Sequence, residues 1–316
     1  MYNGIVNVYK EAGFTSFDVV AKLRGVFGQK KIGHTGTLDP EAVGVLPVCL
    51  GNGTKLCDVL TDKSKEYLAV MKLGERTDTQ DATGEILEKK PVEVSDSEIE
   101  ATVNSFIGDY NQIPPMYSAL KQNGKKLYEL ARAGIEVERK PRLVNISSIV
   151  IEKIELPFVT MRVNCSKGTY IRTLCDDIGA SLGCGALMQS LTRTRVGVYK
   201  IENALKISDL QELKNAGKLE EAVCPVDEVF EEYPRAYVTK EADKYLKNGN
   251  SLDINELLGA MPEKTGVSGK ENASNSYKQE KPAEVIRVYD YEGRFCGLYE
   301  YDRSRKNYKV KKMFLS

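Results

Sequence analysis

The chain has 316 residues, of which 41% are hydrophobic and 28% are charged, and its 45 Lys and Arg residues balance its 45 Asp and Glu residues. This composition is typical of a soluble globular protein of one or two domains. The longest apolar run, residues 43–50, is too short to span a bilayer, and the N-terminus lacks a basic segment followed by an apolar core. The sequence therefore argues against a membrane-embedded or exported protein.

The cysteines and the histidine restrict the redox and metal chemistry that we expect. Seven cysteines are spread along the chain without a Cys-x-x-Cys pair, and His34 is the only histidine. An odd number of scattered cysteines favours reduced thiols in the cytoplasm. A zinc site would have to rely mostly on carboxylates, so we expect no metal.

The net charge of zero hides charged segments of opposite sign. Residues 121–142 contain seven Lys and Arg against three Glu, whereas residues 202–232 are acidic and residues 303–312 are basic again. A neutral protein with such segments can still present a basic face to a polyanion.

The first 75 residues predict alternating strands and short helices. A strand at 5–8 precedes a helix at 15–27, and the run at 43–50 predicts a buried strand followed by a short helix near 54–60. The helix at 15–27 places four apolar residues at helical spacing: Phe17, Val20, Leu23 and Phe27. The strand at 65–74 places four side chains on one face: Tyr67, Ala69, Met71 and Leu73.

The middle of the chain continues the same mixture. A capping box from Ser95 to Glu98 predicts a helix that ends at Gly108, and two prolines exclude a regular helix at 112–121. Further along we expect a short helix within 125–134, two strands at 143–165 and a helix near 170–182. The pattern predicts a mixed sheet with flanking helices in one domain spanning residues 1–230.

The C-terminal part differs in character. Three short alternating strands are predicted between 284 and 314, and residues 261–282 are polar with almost no large apolar side chains. We therefore expect a small β-rich domain at 231–316, interrupted by a flexible loop at 261–282.

The segment GHTGTLDPEAVGVLP at 33–47 has two interpretations. Asp39, Pro40 and Glu41 resemble the start of a helix, with an oxygen cap, a proline in the first turn and an acidic residue near the positive end of the dipole. The glycines of the segment and the restriction that Pro40 imposes on Asp39 would equally suit a rigid loop that presents a carboxylate.

A catalytic role for Asp39 would need positioning rather than activation, because an aspartate is ionised at neutral pH in water. An arginine can grip a carboxylate with two parallel hydrogen bonds, and Arg172 is a candidate, although it could equally pair with Asp176 on a helix surface. A glycosidase-like pair of Asp39 with Asp78 or Asp81 is a further possibility.

Other catalytic motifs are missing from the sequence. It contains no Gly-x-Ser-x-Gly, no His-Glu-x-x-His and no dinucleotide-binding fingerprint. A reaction without a cofactor is therefore favoured. Tyr67 is a candidate for such a site, and it could equally be a core aromatic on its strand.

Six motifs occur in a fixed order along the chain: GHTGTLDPEAVGVLP, KEYLAVMKLG, RTDTQDATG, QIPPMYSALK, GTYIRTL and LTRTRVG. Together they strongly resemble the TruB family of bacterial tRNA pseudouridine synthases, over roughly residues 2–230. The resemblance implies an α+β fold with a mixed, largely antiparallel sheet of the pseudouridine-synthase type and flanking helices. It also implies a small β-rich C-terminal domain of the PUA type, a match that the polar segment at 261–282 weakens.

The implied activity is the isomerisation of uridine 55 in the T-loop of tRNA to pseudouridine, by cleavage of the glycosidic bond, rotation of the uracil and rejoining through carbon 5. Asp39 matches the essential aspartate, which would attack the ribose, attack the base or remove a ribose proton. Tyr67 matches the tyrosine that stacks on the target base and helps to take the proton from carbon 5, and Arg172 matches the arginine that pairs with the aspartate. Leu191 matches a leucine beside the site, and His34 matches the histidine that inserts into the T-loop.

The basic segment at about 121–142, which includes Lys125 and Lys126, matches the insertion that closes over the T-arm in enzymes of this family that act alone. The resemblance therefore implies recognition of the tRNA T-arm by its folded shape, without a guide RNA. We expect a monomer by default, with no cofactor and no membrane partner. A non-catalytic protein that binds or folds tRNA would explain the basic segments equally well. An RNA glycosylase is a third possibility and would release free uracil.

Overall fold

The structure is a computed structural model that describes residues 1–259 and 282–315. The described chain forms two compact units, one containing mainly residues 6–49 and 56–222, the other residues 2–5, 50–55 and the chain from residue 223 onward. The predicted flexible loop at 261–282 lies outside the described residues except for residue 282. No helix in the described part of the chain is long and apolar enough to cross a membrane.

The strands of the described chain up to residue 222 are β1 (Gly4–Lys10), β2 (Ile32–His34), β3 (Val43–Leu50), β4 (Lys65–Leu73), β5 (Glu75–Thr77), β6 (Ile86–Lys89), β7 (Gly108–Gln112), β8 (Lys121–Gln122), β9 (Lys125–Lys126), β10 (Arg142–Glu155), β11 (Phe158–Cys165), β12 (Ala186–Val196) and β13 (Tyr199–Lys200). The α-helices are α1 (Ser16–Phe27), α2 (Cys57–Thr61), α3 (Asp96–Asn104), α4 (Leu127–Arg132), α5 (Ile171–Ser181) and α6 (Ile207–Asn215). Short 3₁₀ helices are Gly51–Leu56, Ile201–Asn203 and Leu219–Ala222.

A nine-stranded sheet forms the main layer of the first unit, with the order β1-β3-β12-β4-β11-β10-β7 and with β2 and β13 attached to β3 and β12. Strand β4 lies in the middle and pairs antiparallel with β11 and β12, while β12 pairs parallel with β3. The mixed, largely antiparallel sheet predicted from the sequence is therefore confirmed.

Alternation along β4 determines which side chains enter the core. Tyr67, Ala69, Met71 and Leu73 are buried, whereas the residues between them are partly exposed, so the period of two predicted from the sequence is confirmed. These side chains belong to a cluster that also contains the buried faces of α3 and α5. Each fully buried aliphatic side chain in such a cluster contributes about 1.5–3 kcal/mol.

Two details of the helices differ from the prediction. Phe17 is 71% exposed rather than part of the buried face of α1, which consists instead of Ser16, Val19, Val20, Leu23, Val26 and Phe27. Helix α3 ends at Asn104 rather than near Gly108, because residues 105–107 form turns and Gly108, with a φ of 107°, starts β7.

The second unit is a β-rich structure. Its strands and helix are β14 (Arg235–Val238), α7 (Asp243–Lys247), β15 (Leu252–Asp253), β16 (Leu257–Leu258), β17 (Val285–Tyr289), β18 (Phe295–Asp302) and β19 (Asn307–Met313), with 3₁₀ turns at Val226–Phe230 and Ile254–Glu256. They form a six-stranded sheet in the order β15-β19-β18-β17-β14-β16. The three strands predicted between 284 and 314 are confirmed.

Candidate active site

Asp39 lies in the loop that connects β2 to β3. The backbone N–H of Ala42 donates to the carbonyl of Asp39 at 3.1 Å, which closes a turn, and β3 starts at Val43. The prediction that Asp39 caps a helix is therefore wrong, because only three residues separate it from the next strand. The side chain of Asp39 is 40% exposed, so a ligand can reach its carboxylate.

Two neighbouring residues fix this loop. The hydroxyl of Ser16, at the start of α1, accepts from the N–H of Leu38 at 2.9 Å. The ammonium of Lys10 donates to the carbonyls of Pro40 at 2.8 Å and Ala42 at 2.6 Å. Burial removes water from this ammonium and thereby lowers the pKa of Lys10 to about 8.

Arg172 occupies the second position of α5 and faces the Asp39 loop. Its guanidinium Nη2 lies 3.5 Å from each carboxylate oxygen of Asp39 and donates to the carbonyl of Tyr117 at 2.6 Å. Its Nη1 lies 3.6 Å from the carboxylate of Asp81. Only 7% of the arginine side chain is exposed, so a single buried cation faces two carboxylates.

The alternative that Arg172 pairs with Asp176 on a helix surface is wrong. Asp176 accepts from Nε and Nη2 of Arg76 at 2.9 and 3.2 Å, and from the amide of Gln80 at 3.1 Å. The spacing of four residues on a helix allowed a pair, but Arg76 of β5 binds Asp176, and Arg172 is directed toward Asp39.

Asp81 is held rigidly beside Arg172. One carboxylate oxygen accepts from the hydroxyl of Thr79 at 2.7 Å and from the N–H and hydroxyl of Thr83 at 2.9 and 2.6 Å, which leaves the other oxygen for Arg172. From the sequence, Asp81 was a candidate only as a second carboxylate for Asp39, and no pattern indicated that both carboxylates share one arginine. Asp78 is engaged elsewhere, since it accepts from the hydroxyl of Tyr117 at 3.0 Å.

Tyr67 and Leu191 lie on adjacent strands at the buried side of the site. Tyr67 is 7% exposed and lies opposite Arg193 in the pairing of β4 with β12, while Leu191 is 8% exposed and lies opposite Ala69. Burial raises the pKa of Tyr67, and the charge and hydrogen bond of Arg193 oppose that shift. Tyr67 is thus both a core aromatic and a polar group facing a cation.

His34 ends strand β2, five residues before Asp39. Its Nδ1 accepts from the N–H of Gly36 at 3.3 Å, so in the neutral ring the proton is on Nε2. Its ring meets that of Phe17 edge to face, with centroids 6.3 Å apart. Burial and the nearby charge of Arg193 lower the pKa of His34, which favours the neutral ring at neutral pH.

Lys125 and Lys126 lie on the small hairpin formed by β8 and β9, in the basic segment that leads into α4. Lys125 is exposed, and the ammonium of Lys126 lies 5.2 Å from the centroid of the Tyr128 ring. No described contact joins either lysine to Asp39. Tyr117, which precedes the hairpin in the chain, contacts the site: its carbonyl accepts from Arg172 and its hydroxyl donates to Asp78. The next residue, Ser118, accepts at its carbonyl from the N–H of Tyr128 at 3.1 Å.

Arg193 was missed by the sequence analysis although it lies within the motif LTRTRVG. Its side chain is 1% exposed, and its guanidinium donates to the carbonyls of Val45 at 2.7 Å, Gly36 at 3.2 Å and Thr37 at 3.5 Å. A strand pattern shows that a residue faces inward, but not that a buried arginine will bind the carbonyls of a distant loop.

Two family models match the chain. The N-terminal domain of TruB family pseudouridylate synthases matches residues 24–171. The C-terminal domain of tRNA pseudouridylate synthase B matches residues 172–231. The chain is 51% identical to the tRNA pseudouridine synthase B of Lachnoclostridium phytofermentans, over 99% of this chain and 100% of the relative. It is 44% identical to the protein of the same name from Clostridium novyi, again over 99% and 100% of the two chains.

Solved structures share the fold. A chain of a Cbf5-Nop10-Gar1 complex superposes with a TM-score of 0.69 at 26% identity, covering 99% of this chain and 85% of that chain. A chain of an H/ACA RNP bound to a substrate RNA containing 2'-deoxyuridine has the same TM-score and the same coverage at 24% identity. The α+β class, with its large sheet and β-rich C-terminal part, is that of pseudouridine synthases. The chain belongs to the TruB family of pseudouridylate synthases.

Proposed function

We propose that this protein isomerises uridine 55 in the T-loop of tRNA to pseudouridine, acting without a guide RNA. The observation that carries the proposal is the placement of Asp39, half-exposed in a fixed loop, with both carboxylate oxygens 3.5 Å from the buried guanidinium of Arg172. The proteins named tRNA pseudouridine synthase B that match this chain, at 51% and 44% identity over nearly its whole length, support tRNA as the substrate.

The reaction places few demands on the protein beyond positioning. The bond between ribose carbon 1' and uracil N1 breaks, the uracil turns, carbon 5 joins carbon 1', and the proton on carbon 5 is lost while N1 gains one. Asp39 would start the sequence as a nucleophile on the ribose, as a nucleophile on the base, or by removing a ribose proton. In each case Arg172 would hold the carboxylate in position toward the substrate.

Tyr67 and Leu191 would line the buried side of the pocket that receives the uracil. The ring of Tyr67 would stack on the uracil, and its hydroxyl would help to accept the proton from carbon 5. Tyr67 lies opposite Arg193 in the strand pair, which supports this role. Leu191 would exclude water from the reacting centre. Water exclusion strengthens the electrostatic interactions on which the aspartate depends.

A base stacked within a loop has to be flipped out before it can react, at a cost of a few kcal/mol. His34 would fill the space that the flipped bases leave, and its neutral ring suits stacking on nucleobases. Its position five residues before Asp39, on the same β2–β3 connection, couples the opening of the RNA to delivery of the carboxylate.

Lys125 and Lys126 would contact backbone phosphates of the T-arm, and the β-rich second unit, a PUA-type domain in this proposal, would contact the acceptor stem. Phosphate contacts position an RNA without reading its sequence, so the folded shape of the T-arm would select the substrate. We propose a monomer that works in the cytoplasm. None of the seven cysteines, all in the described part of the chain, forms a disulfide, which fits a reducing compartment.

Product mapping on an unmodified tRNA transcript tests this proposal. Incubation with the purified protein alone should yield a single carbodiimide adduct at position 55, and a transcript with cytidine at that position should yield none. Modification only after a second RNA is added would show that a guide is required. Free uracil in the supernatant would indicate a glycosylase, and tight binding without any adduct would favour the non-catalytic tRNA-binding function.

A further inference from the structure

Arg193 is a buried cation at the junction of three parts of the active site. It lies on β12 opposite Tyr67 of β4, and on its other side β12 pairs with β3 so that Arg193 lies opposite Gly44. The side chain is 1% exposed. A charge in such a position is costly unless the surrounding groups compensate it.

In the described part of the chain, the hydrogen bonds of the Arg193 guanidinium go to backbone carbonyls and not to a carboxylate. Its Nε donates to Val45, and its two terminal nitrogens donate to Gly36 and Thr37. The guanidinium thereby ties the segment just before Asp39 to the first residues of β3, on a strand where Arg193 lies opposite Tyr67.

The Asp39 loop is held on its other side by Lys10. That ammonium binds the carbonyls of Pro40 and Ala42, which follow Asp39, whereas Arg193 binds the carbonyls of Gly36 and Thr37, which precede it. Carbonyls on both sides of the aspartate are therefore fixed by buried cations. Of these two cations, Arg193 also lies opposite Tyr67 in the pairing of β12 with β4.

Strands β12 and β3 approach each other closely at Arg193. Gly44 has a φ of 104°, and a Cβ atom there would collide with the backbone carbonyl oxygen of Arg193. The position opposite Arg193 on β3 therefore has no room for a side chain.

We propose that Arg193 is a positioning residue for the isomerisation. By binding the carbonyls of Gly36 and Thr37 before Asp39 and that of Val45 after it, it fixes the Asp39 loop against β12, where it lies opposite Tyr67 of β4. The proposal rests on the proposed function.

The surrounding charged and titratable groups belong to several elements. Tyr67 is faced by Arg193, Cys165 and Asp39, and the charge of Arg193 also acts on Lys10, His34 and Lys65.

Three variants test the proposal by single-turnover kinetics on labelled tRNA, with tRNA affinity measured in parallel at a temperature well below unfolding. Arg193→Gln should lower the rate at least 50-fold and change the dissociation constant less than 3-fold. Arg193→Lys should recover about 10-fold of the lost rate, because it restores the charge but not the fork of donors. Arg195→Gln is the matched control, since Arg195 lies on the same strand and donates to Ser64, Asn164 and Gly197, and its rate should stay within 2-fold of wild type.

The result that would overturn the inference is a wild-type rate for Arg193→Gln, or a loss of rate and tRNA affinity in parallel for both Arg193 variants, which would show a purely structural arginine. Wild type and Asp39→Asn are assayed alongside. If wild type itself releases no label, the proposed function fails. If wild type is active, Asp39→Asn is inactive and Arg193→Gln matches wild type, only the inference about Arg193 fails.

Discussion

Replacing Arg172 should slow the reaction far more than it weakens tRNA binding. The nearest charged contact of Asp39 is the guanidinium at 3.5 Å, and two unit charges at that distance attract by about 5 kcal/mol at an effective dielectric constant of about 20. Because 40% of the Asp39 side chain is exposed, screening by water reduces the effective contribution to about 2–3 kcal/mol. A loss of that size corresponds to a rate decrease on the order of 100-fold.

The assay compares Arg172→Ala and Arg172→Lys in single-turnover reactions with saturating protein. The alanine variant should lose about 100-fold in rate or more. The lysine variant should lie between it and wild type, because a single nitrogen cannot occupy both the position of Nη2, which faces Asp39 and the Tyr117 carbonyl, and that of Nη1, which faces Asp81. Binding should change little, since only 7% of the arginine side chain is exposed.

Arg162→Ala is the matched control for this prediction. Arg162 is also an arginine bound to two carboxylates, those of Glu66 at 3.1 Å and Glu152 at 2.6 Å, but it lies on β11 and has no described contact with the Asp39 loop. Its removal should leave the rate within 2-fold. A folded Arg172→Ala protein with wild-type turnover would refute the role assigned to the ion pair.

Three further predictions concern RNA binding, pH and packing. Replacing Lys125 and Lys126 by Gln should weaken tRNA binding and reduce the slope of log K against log salt by about 1–2, and an unchanged slope would place both lysines outside the interface. Folding lowers the pKa of His34, so the unfolded chain binds a proton at a higher pH than the folded chain does. The free energy of unfolding of wild type should therefore fall as the pH drops below about 6.5, the reference pKa of histidine. It should fall less in His34→Gln, and urea titrations of both proteins at pH 7.5 and 5.5 measure the difference. Gly44→Ala should destabilise the protein by several kcal/mol, because the added Cβ would collide with the backbone of β12. Gly25→Ala should stabilise α1 by about 0.5–1 kcal/mol, because a Cβ there meets nothing within 4 Å. Equal melting temperatures of the two variants would contradict this packing.

The strands and helices were predictable where one local pattern decides them. The alternation from Tyr67 to Leu73 and the capping box at Ser95 each identified an element correctly. The end of α3 was misplaced because a glycine at 108 can end a helix or start a strand, and tertiary pairing with β10 selected the strand.

The candidate site was predictable only through its motifs. The sequence around Asp39 fits both a helix cap and a rigid loop. The structure excludes the helix, because the N–H of Ala42 closes a turn on Asp39 and β3 begins at Val43. The partner of Arg172 could not be read from spacing, since Asp176 was four residues away and the real neighbours are 133 and 91 residues distant in the chain. The contacts of Arg193 with loop carbonyls could not be predicted, because every residue has a backbone carbonyl and no residue type indicates which one is bound.

The most direct measurement is tritium release from tRNA labelled at carbon 5 of uracil, with wild type and Asp39→Asn side by side and with tRNA affinity measured for both. The account predicts release from a single T-loop uridine by wild type, no release by Asp39→Asn, and affinities that agree within a few-fold. Equal release by both proteins would contradict the assignment of Asp39 as the catalytic residue, and tight binding without release by either would contradict the enzymatic function.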